Sequence, residues 1–555
     1  MAQQAINRTV VPTSGLWTSA PGDAIAPQYT PWCQNVRFRF GKVLRSPGRS
    51  VVLDQGLSGS IMDFATHFDA NGNRHIIALG ASSLSNGYAA LYNPTTFKFT
   101  LLGLLQVTSL QDLRFSWAMG EEQLFIARAS QISRLSLRSI NDYNLGQFAP
   151  TPTGCYLAYF KNHLFCANIL ADPISIPVGN NASSGPMPNR IRWSAEGDYR
   201  NWNMGIQGDG TVSGGFLDLY DGIVEPITGM KVLNDRLVMY RNSSITDLNA
   251  TGDALTQFLP ENRVFGIGCM LPWSLASVGQ FHIFVGNDFN IYAWDGSNLD
   301  PIGSPIHSYV RQVLNFAGSS GWQSIPFAAA FMGFKEYWLV IPDPVGGTYN
   351  VLIYDYFRNA WTHDVFTGLS ALFEQILPGS MSSAGWDGDN YPVNYPVLMA
   401  ASGNKYFMID ERVKGDWLDR PTDGGMDMFW DTPDMYYAPT GLLNGTLERV
   451  LVFKDLPILA GLEAPFNLEI SIDRGNSFPY VETIKPINEH WGFEFTDMNI
   501  TSNIRRYRFF YPKENGVATP SVRAYTDVYV PSGEFFPTIR ALNPPDANLP
   551  PPNLN

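Results

Sequence analysis

The sequence predicts an all-β protein: a β-propeller of about 6–8 blades with an appended C-terminal β-sandwich. Three observations lead there. A unit made of an apolar strand, a turn and a second strand rich in aromatics recurs along residues 74–410. Across that stretch, runs of Ile, Leu, Val, Phe and Tyr are bounded by Gly, Asn, Asp and Pro, and helical periodicity is nearly absent. From about residue 426 the texture changes to alternating strands at sandwich-like spacing.

Residues 1–54 read as an N-terminal extended and strand segment, rich in Pro and Gly. Val36, Phe38 and Phe40 alternate with Arg37 and Arg39, the pattern of a half-buried strand, and Gly41-Lys42 turns it into a second one. Arg37, Arg39, Lys42, Arg45 and Arg49 form the densest basic patch of the chain. It reads either as a solvated strand face or as a contact for an acidic partner subunit or DNA.

Residues 55–425 carry the repeats. They are RHIIALG…GYAALYNPTT (74–96), QLFIARASQISRLSL (123–137), HLFCANIL…NRIRWSAEGDYRNWN (163–203, with a long insertion), DRLVMYRNSSITDL (235–248), FHIFVGNDFNIYAWDG (281–296), EYWLVIPD…NVLIYDYFRNAWT (336–362) and YPVLMAASGNKYFMID (395–410). Seven candidate blades result, and their spacing of roughly 40 to 70 residues fits a radial repeat of four-stranded sheets. Such a fold hosts many functions, so it is a scaffold before it is an enzyme. The Gly-rich stretch 205–222 lacks the Gly-Lys-Ser/Thr ending of a phosphate loop and reads as a connection between blades. Residues 366–394 form a second loop-rich insertion.

Residues 426–535 supply the sandwich strands: FWDTPDM, ERVLVFKDL, FNLEISIDRGNSF, RRYRFFYP and SVRAYTDVYV. The Pro-rich tail 536–555 cannot pack a core and is expected to be disordered or laid on a neighbour as an arm.

Composition narrows the function classes. The chain has 555 residues, 45% hydrophobic and only 16% charged, which suits large packed cores and buried subunit interfaces. A net charge of −13 argues against a non-specific nucleic-acid binder, which needs a basic face. It is compatible with DNA sliding past a wall that repels phosphates. Cys33, Cys155, Cys166 and Cys269 form no C-x-x-C pair and read as free, buried thiols of a protein folded in a reducing cytoplasm. The opening MAQQAINRTVVPTSG has no basic region followed by an apolar run, so no secretory signal is expected. Nor is a transmembrane helix, which needs about 18 uninterrupted apolar residues.

No constellation selects a chemistry. His67, His75, His163, His282, His307, His363 and His490 are scattered without ligand spacing. Neither a nucleophile elbow nor a dinucleotide fingerprint is present. Ser471-Ile-Asp473-Arg-Gly475-Asn-Ser477-Phe478 matches the Asp box of sialidases and other propellers, where the box is a hairpin device remote from catalysis. A glycosidase needs two carboxylates across a sugar. Glu196, Asp198, Asp209, Asp295 and Asp300 are candidates that spacing does not rank, and Asp295-Gly296 is a turn former. Trp193, Tyr199 and Trp202 could stack on sugar or plug a blade core. No catalytic, cofactor-binding or metal residue is expected, no cofactor, and no enzyme activity.

Several segments together carry a family resemblance. They are Trp193-Ser194 through Asp198 and Asn201-Trp202; 236–248; Val264-Phe-Gly-Ile-Gly268 leading to 287–303; Gln34-Asn35-Val36-Arg37 with Gly41 and Arg45-Ser-Pro-Gly48; and Trp430-Asp-Thr-Pro-Asp-Met435. Their order resembles that of the tail nozzle proteins of short-tailed bacteriophages, also called tail tubular protein B or packaged-DNA stabilisation proteins. The resemblance implies a virion tail protein made in the host cytoplasm. Six copies would form a ring that binds the head-to-tail adaptor and carries tail fibres, a spike or a needle. The ring would retain double-stranded DNA and conduct it during ejection, with the 205–222 loop and the 366–394 insertion as candidate gates, since a gate needs mobile backbone. The alternatives are a propeller glycosidase or depolymerase, and a glycan-binding receptor protein.

Overall fold

Successive residues of a buried strand point to opposite faces, and this chain uses both faces. In strand Arg74–Ala81, Ile76 and Ala78 enter one apolar cluster with Ala371, Val397 and Tyr406, while Ile77 and Leu79 enter another with Leu124, Ile126 and Leu135. Strand Gln123–Ala127 divides likewise: Leu124 and Ile126 face back, Phe125 and Ala127 face forward to Leu157, Leu164 and Trp202. Strands Arg236–Arg241 and Tyr395–Ser402 repeat the pattern. Sheets that bury both faces against neighbours of their own kind must be arranged in a ring.

The computed structural model describes residues 6–535 except 50–52, 55–56, 58, 70, 82–85, 94–97, 107–113, 129, 140–141, 148–149, 173–184, 205–213, 221, 223, 254–255, 317–324, 344–346, 378–394, 411–426, 437–442, 456–465, 485–490 and 513–520. The chain divides into two compact units: 47–422, and 1–46 together with 423–555.

The unit 47–422 is a propeller of seven blades. Blade 1 consists of Ser60–Phe68, Arg74–Ala81, Asn86–Asn93 and Lys98–Gln106. Blades 2 to 6 repeat this antiparallel order, with first strands Ser116–Gly120, Thr153–Phe160, Ile227–Leu233, Ala276–Val278 and Phe327–Phe331. Blade 7 has three strands of its own, Ala371–Leu377, Tyr395–Ser402 and Lys405–Asp410. Its outer edge is supplied from far upstream: Arg49 pairs with Ile409, Leu53 with Tyr406 and Asp54 with Lys405. The first strand of blade 7 packs against that of blade 1 and closes the ring.

Two-residue hairpins set several first-to-second strand turns. Glu121-Glu122 in blade 2 and Lys161-Asn162 in blade 3 all take positive φ, the backbone a right-twisted two-residue hairpin demands. One helix, His307–Phe316, lies in the connection between blades 5 and 6, where the sequence reading expects none.

The other unit contains two sheets. One orders Val36–Arg39, Lys42–Arg45, Ser521–Phe535, Leu443–Asp455 and Trp491–Ser502, with Ile6–Val10 also on Ser521–Phe535. The second orders Cys33–Gln34, Met428–Asp431, Ile504–Tyr511, Phe466–Ser471 and Tyr480–Ile484. Trp430 stacks on Phe509 with ring centroids 4.2 Å apart, and Tyr525 packs beside both. The N-terminal strands are therefore integral to this sandwich. The propeller is inserted in the chain between residues 46 and 423.

Candidate functional site

Three members of the basic patch are not a solvated face. Arg37, Arg39 and Arg45 are buried in the sandwich unit. Arg37 donates to the Val36 carbonyl (3.0 Å) and to Ser46 Oγ (2.6 Å). Burial lowers the Arg45 guanidinium to about 10. Strict alternation does not reveal this arrangement, because both faces of the short hairpin are covered.

The histidines are separate structural pieces. His67 bonds the Glu122 carbonyl (3.1 Å), His163 the Ser194 carbonyl (2.7 Å) and His307 the Asp288 carbonyl (2.9 Å). His75 meets Asp69 at 3.0 Å, and His363 meets Asn350 at 3.0 Å. His282 Nε2–H donates to the Val232 carbonyl (3.1 Å), and its Nδ1 accepts from the Tyr240 hydroxyl (2.9 Å), which ties blade 5 to blade 4. Burial, then the charge of Lys231, lowers His282 to about 3, so it is neutral. His490 lies outside the described residues. No group of three His, Cys, Asp or Glu among the described residues could hold a metal ion. All four cysteines are buried, and desolvation pushes the Cys155 and Cys269 thiols up to about 12.

Two of the candidate carboxylates, Asp295 and Asp198, make turns. Asp295 accepts from Ser297 N–H (2.7 Å) and Asn298 N–H (2.6 Å), and Asp198 accepts from Arg200 N–H (3.0 Å). Glu196 and Asp300 are exposed, and Asp209 lies outside the described residues. In the Asp box, Asp473 accepts from Ser477 N–H (2.9 Å), Gly475 takes φ +84°, and Phe478 covers the Arg508 guanidinium at 4.1 Å. The hydrogen bonds from Ser471 and Ser477 hold Asp473 at about 2. These are hairpin roles.

The aromatics are plugs. Trp193 packs edge-on to Phe258 in the cluster between blades 3 and 4. Trp202 fills the cluster between blades 2 and 3, and Tyr199 packs against that same cluster beside Phe125. Gly215 fits under Trp193, where a Cβ would meet the indole at 2.4 Å. Ser194 Oγ accepts from Leu164 N–H (3.0 Å), and Arg192 donates to the Trp202 carbonyl (2.8 Å).

What sequence reasoning misses is the propeller axis. The first strands of the blades surround a cavity of about 560 Å³. Trp117, Tyr156 and Trp273 line it, as do Asp63 of blade 1 and Lys231 of blade 4, three blades round the ring. Arg114 also lines it, but its guanidinium stacks 4.0 Å above the Phe327 ring and donates to the carbonyls of Met62 and Ser370. Asp63 accepts from Phe64 N–H (2.8 Å). The Lys231 side chain makes no hydrogen bond or ion pair among the described residues. Desolvation lifts Asp63 to about 6 against the opposing pull of Arg114 and then Lys231. Desolvation likewise lowers Arg114 to about 10 and lowers Lys231, whose shift Asp63 partly offsets. Both Asp63 and Lys231 keep some exposure to the cavity while being walled in by protein. The sequence signal was faint: a lone charge in each of two largely apolar strands, Asp63 in SIMDFATHF and Lys231 in ITGMKVL.

No family model matches the chain, and no curated protein does. Solved structures do. The WD40 repeats of RRP9 align at 10% identity with a TM-score of 0.36, over 66% of this chain and 99% of that one. Saccharomyces cerevisiae Sqt1 aligns at 8% identity and a TM-score of 0.37, over 66% and 99%. The Neurospora crassa Pan2 WD40 domain aligns at 6% identity and 0.32, over 65% and 88%.

The family resemblance drawn from the sequence is not upheld: no family model and no curated protein of that kind matches, and the solved structures that align are WD40 propellers. The tail nozzle reading is withdrawn. With it go the hexamer, the adaptor, the fibre, spike or needle partners, the channel for double-stranded DNA, the virion location and the gating loops. Nothing favours the glycosidase, depolymerase or glycan-receptor alternatives either. The physical reason lies in the motifs. Trp193, Ser194 and Trp202 solve a packing problem common to propellers, so their order marks a fold and not a family. What the chain is similar to is a β-propeller.

Proposed function

We propose that this chain is a non-enzymatic scaffold whose propeller presents binding surfaces to other proteins. The observation that carries the reading is the contrast between committed polar groups and uncommitted apolar ones. Asp198, Asp295 and Asp473 serve turns, and His163 and His282 meet main-chain carbonyls. By contrast, Leu104 on the outer strand of blade 1, Phe265 at the end of the outer strand of blade 4 and Phe357 at a blade 6 turn are 72%, 66% and 75% exposed. Large apolar side chains held on stiff sheet are suited to protein contact. No helix among the described residues is long and apolar enough to cross a membrane.

The test places a photo-crosslinking amino acid at position 104, 265 or 357 of the full chain in its source cell, with position 261 as an exposed polar control. Discrete adducts at the apolar positions, suppressed by a neighbouring charge such as Leu101→Glu for position 104, are expected. Turnover of a glycoside, ester or phosphoester panel, abolished by one carboxylate substitution, would overturn the reading.

A further inference from the structure

We propose that the propeller axis is a binding site for a monoanionic carboxylate, with the Lys231 ammonium as its counter-ion and Trp117 and Trp273 as its walls. The inference does not depend on the scaffold reading, since an axial ligand could serve any propeller.

At this level of the axis Lys231 and Arg114 face a single carboxylate, Asp63, so one positive charge is left over in a chain whose net charge is −13. The other charged pair of the lining is balanced: Arg74 donates to the Glu374 carbonyl (3.0 Å), and Glu374 accepts from Gly333 N–H (2.7 Å).

Geometry then separates the two cations. Arg114 is fixed by two main-chain carbonyls and the Phe327 face, so it acts as part of the wall. Lys231 projects from a first strand into the cavity, and its ammonium meets no hydrogen-bond partner among the described residues. A walled-in ammonium without partners is costly, and an incoming anion offsets that cost.

The surplus of one charge selects a monoanion. A phosphate dianion would also meet Asp63. Half-buried Trp117 and Trp273, with Tyr156 against Trp273 at 5.7 Å, give the organic part of the ligand flat apolar contact. A cavity of about 560 Å³ holds a ligand of that kind. The carboxylate could belong to a small acid or to an acidic side chain of a protein segment.

The experiment is isothermal titration calorimetry of the full chain with indole-3-acetate, with its neutral isostere indole-3-acetamide, and with a capped Trp-Glu dipeptide. Saturable one-to-one binding is expected, with the amide at least about tenfold weaker because it cannot make the charge-assisted bond. Lys231→Met should lose at least about tenfold in affinity for the acid, and Lys231→Arg should stay within about threefold. Tighter binding of the dipeptide assigns the carboxylate to a protein segment, and tighter binding of the free acid assigns it to a small molecule. Acid and amide binding equally, or no saturable heat with any acid, overturns the proposal using the unmodified chain alone. Unchanged affinity in Lys231→Met would overturn it as well.

Discussion

The sandwich core and the propeller axis both hold a cation away from bulk water, and they handle it in opposite ways. In the sandwich, Arg505 is fully buried, pairs with Asp527 through Nε (2.7 Å) and lies 4.6 Å above the Tyr529 ring. In the propeller, the Lys231 side chain stands on the axis with no hydrogen bond among the described residues. A cation held by a buried carboxylate belongs to the structure, and one whose donors meet no described residue is available to something else. That difference, more than any motif, directs attention to the axis.

The largest effect that sharpens the comparison is in the sandwich. Arg505→Met leaves Asp527 buried and unpaired, and should cost its unit about 3–5 kcal/mol. Urea denaturation followed by the stacked Trp430 reads it, and joint replacement by Arg505→Met and Asp527→Leu should recover most of the loss.

The next effect tests whether buried neutral groups also hold the propeller. His282 has its proton affinity depressed in the fold, to about 3, so the native state binds fewer protons than the unfolded chain. Its contribution is complete above the unfolded value near 6.5 and is lost as pH falls toward 3, at up to about 1.4 kcal/mol per pH unit. Propeller denaturation midpoints measured between pH 7 and 4 should fall accordingly, and His282→Gln should flatten the slope. A slope unchanged in that variant would assign the acid sensitivity elsewhere.

A smaller effect is expected at the surface pair Lys161–Asp235, 2.6 Å apart and solvent-exposed on both sides. Lys161→Ala should change stability by less than about 1 kcal/mol, and added salt should erase the difference.

How much of this was legible in the sequence follows from the same packing logic. The quoted repeats are the second and third strands of the blades, such as Arg74–Ala81 with Asn86–Asn93 and Phe281–Val285 with Ile291–Trp294. Those strands are covered on both faces and read as apolar runs. First strands such as Ala276–Val278 and outer strands such as Leu299–Asp300 are short, and Asp142–Gln147 is largely exposed, so they carry little signal. Pairing of Arg49 and Leu53 with a strand some 350 residues later leaves no local trace. Cys33 opposite Trp430 leaves none either. The axial site was the least legible part. Asp63 and Lys231 are single charges in largely apolar strands, and only ring closure places them across one cavity. The family reading leaned on residues of a related kind: Trp193 and Trp202 plug clusters between blades, a packing role that by itself names no family.

The measurement that tests the central claim most directly is the urea stability of the propeller in Lys231→Met, beside that of the sandwich in Arg505→Met, in the full chain without ligand. An uncommitted axial cation predicts no loss for Lys231→Met, and a gain of up to about 1 kcal/mol as a desolvated charge is removed. A loss in Lys231→Met comparable to that in Arg505→Met would make Lys231 a structural cation and contradict the account.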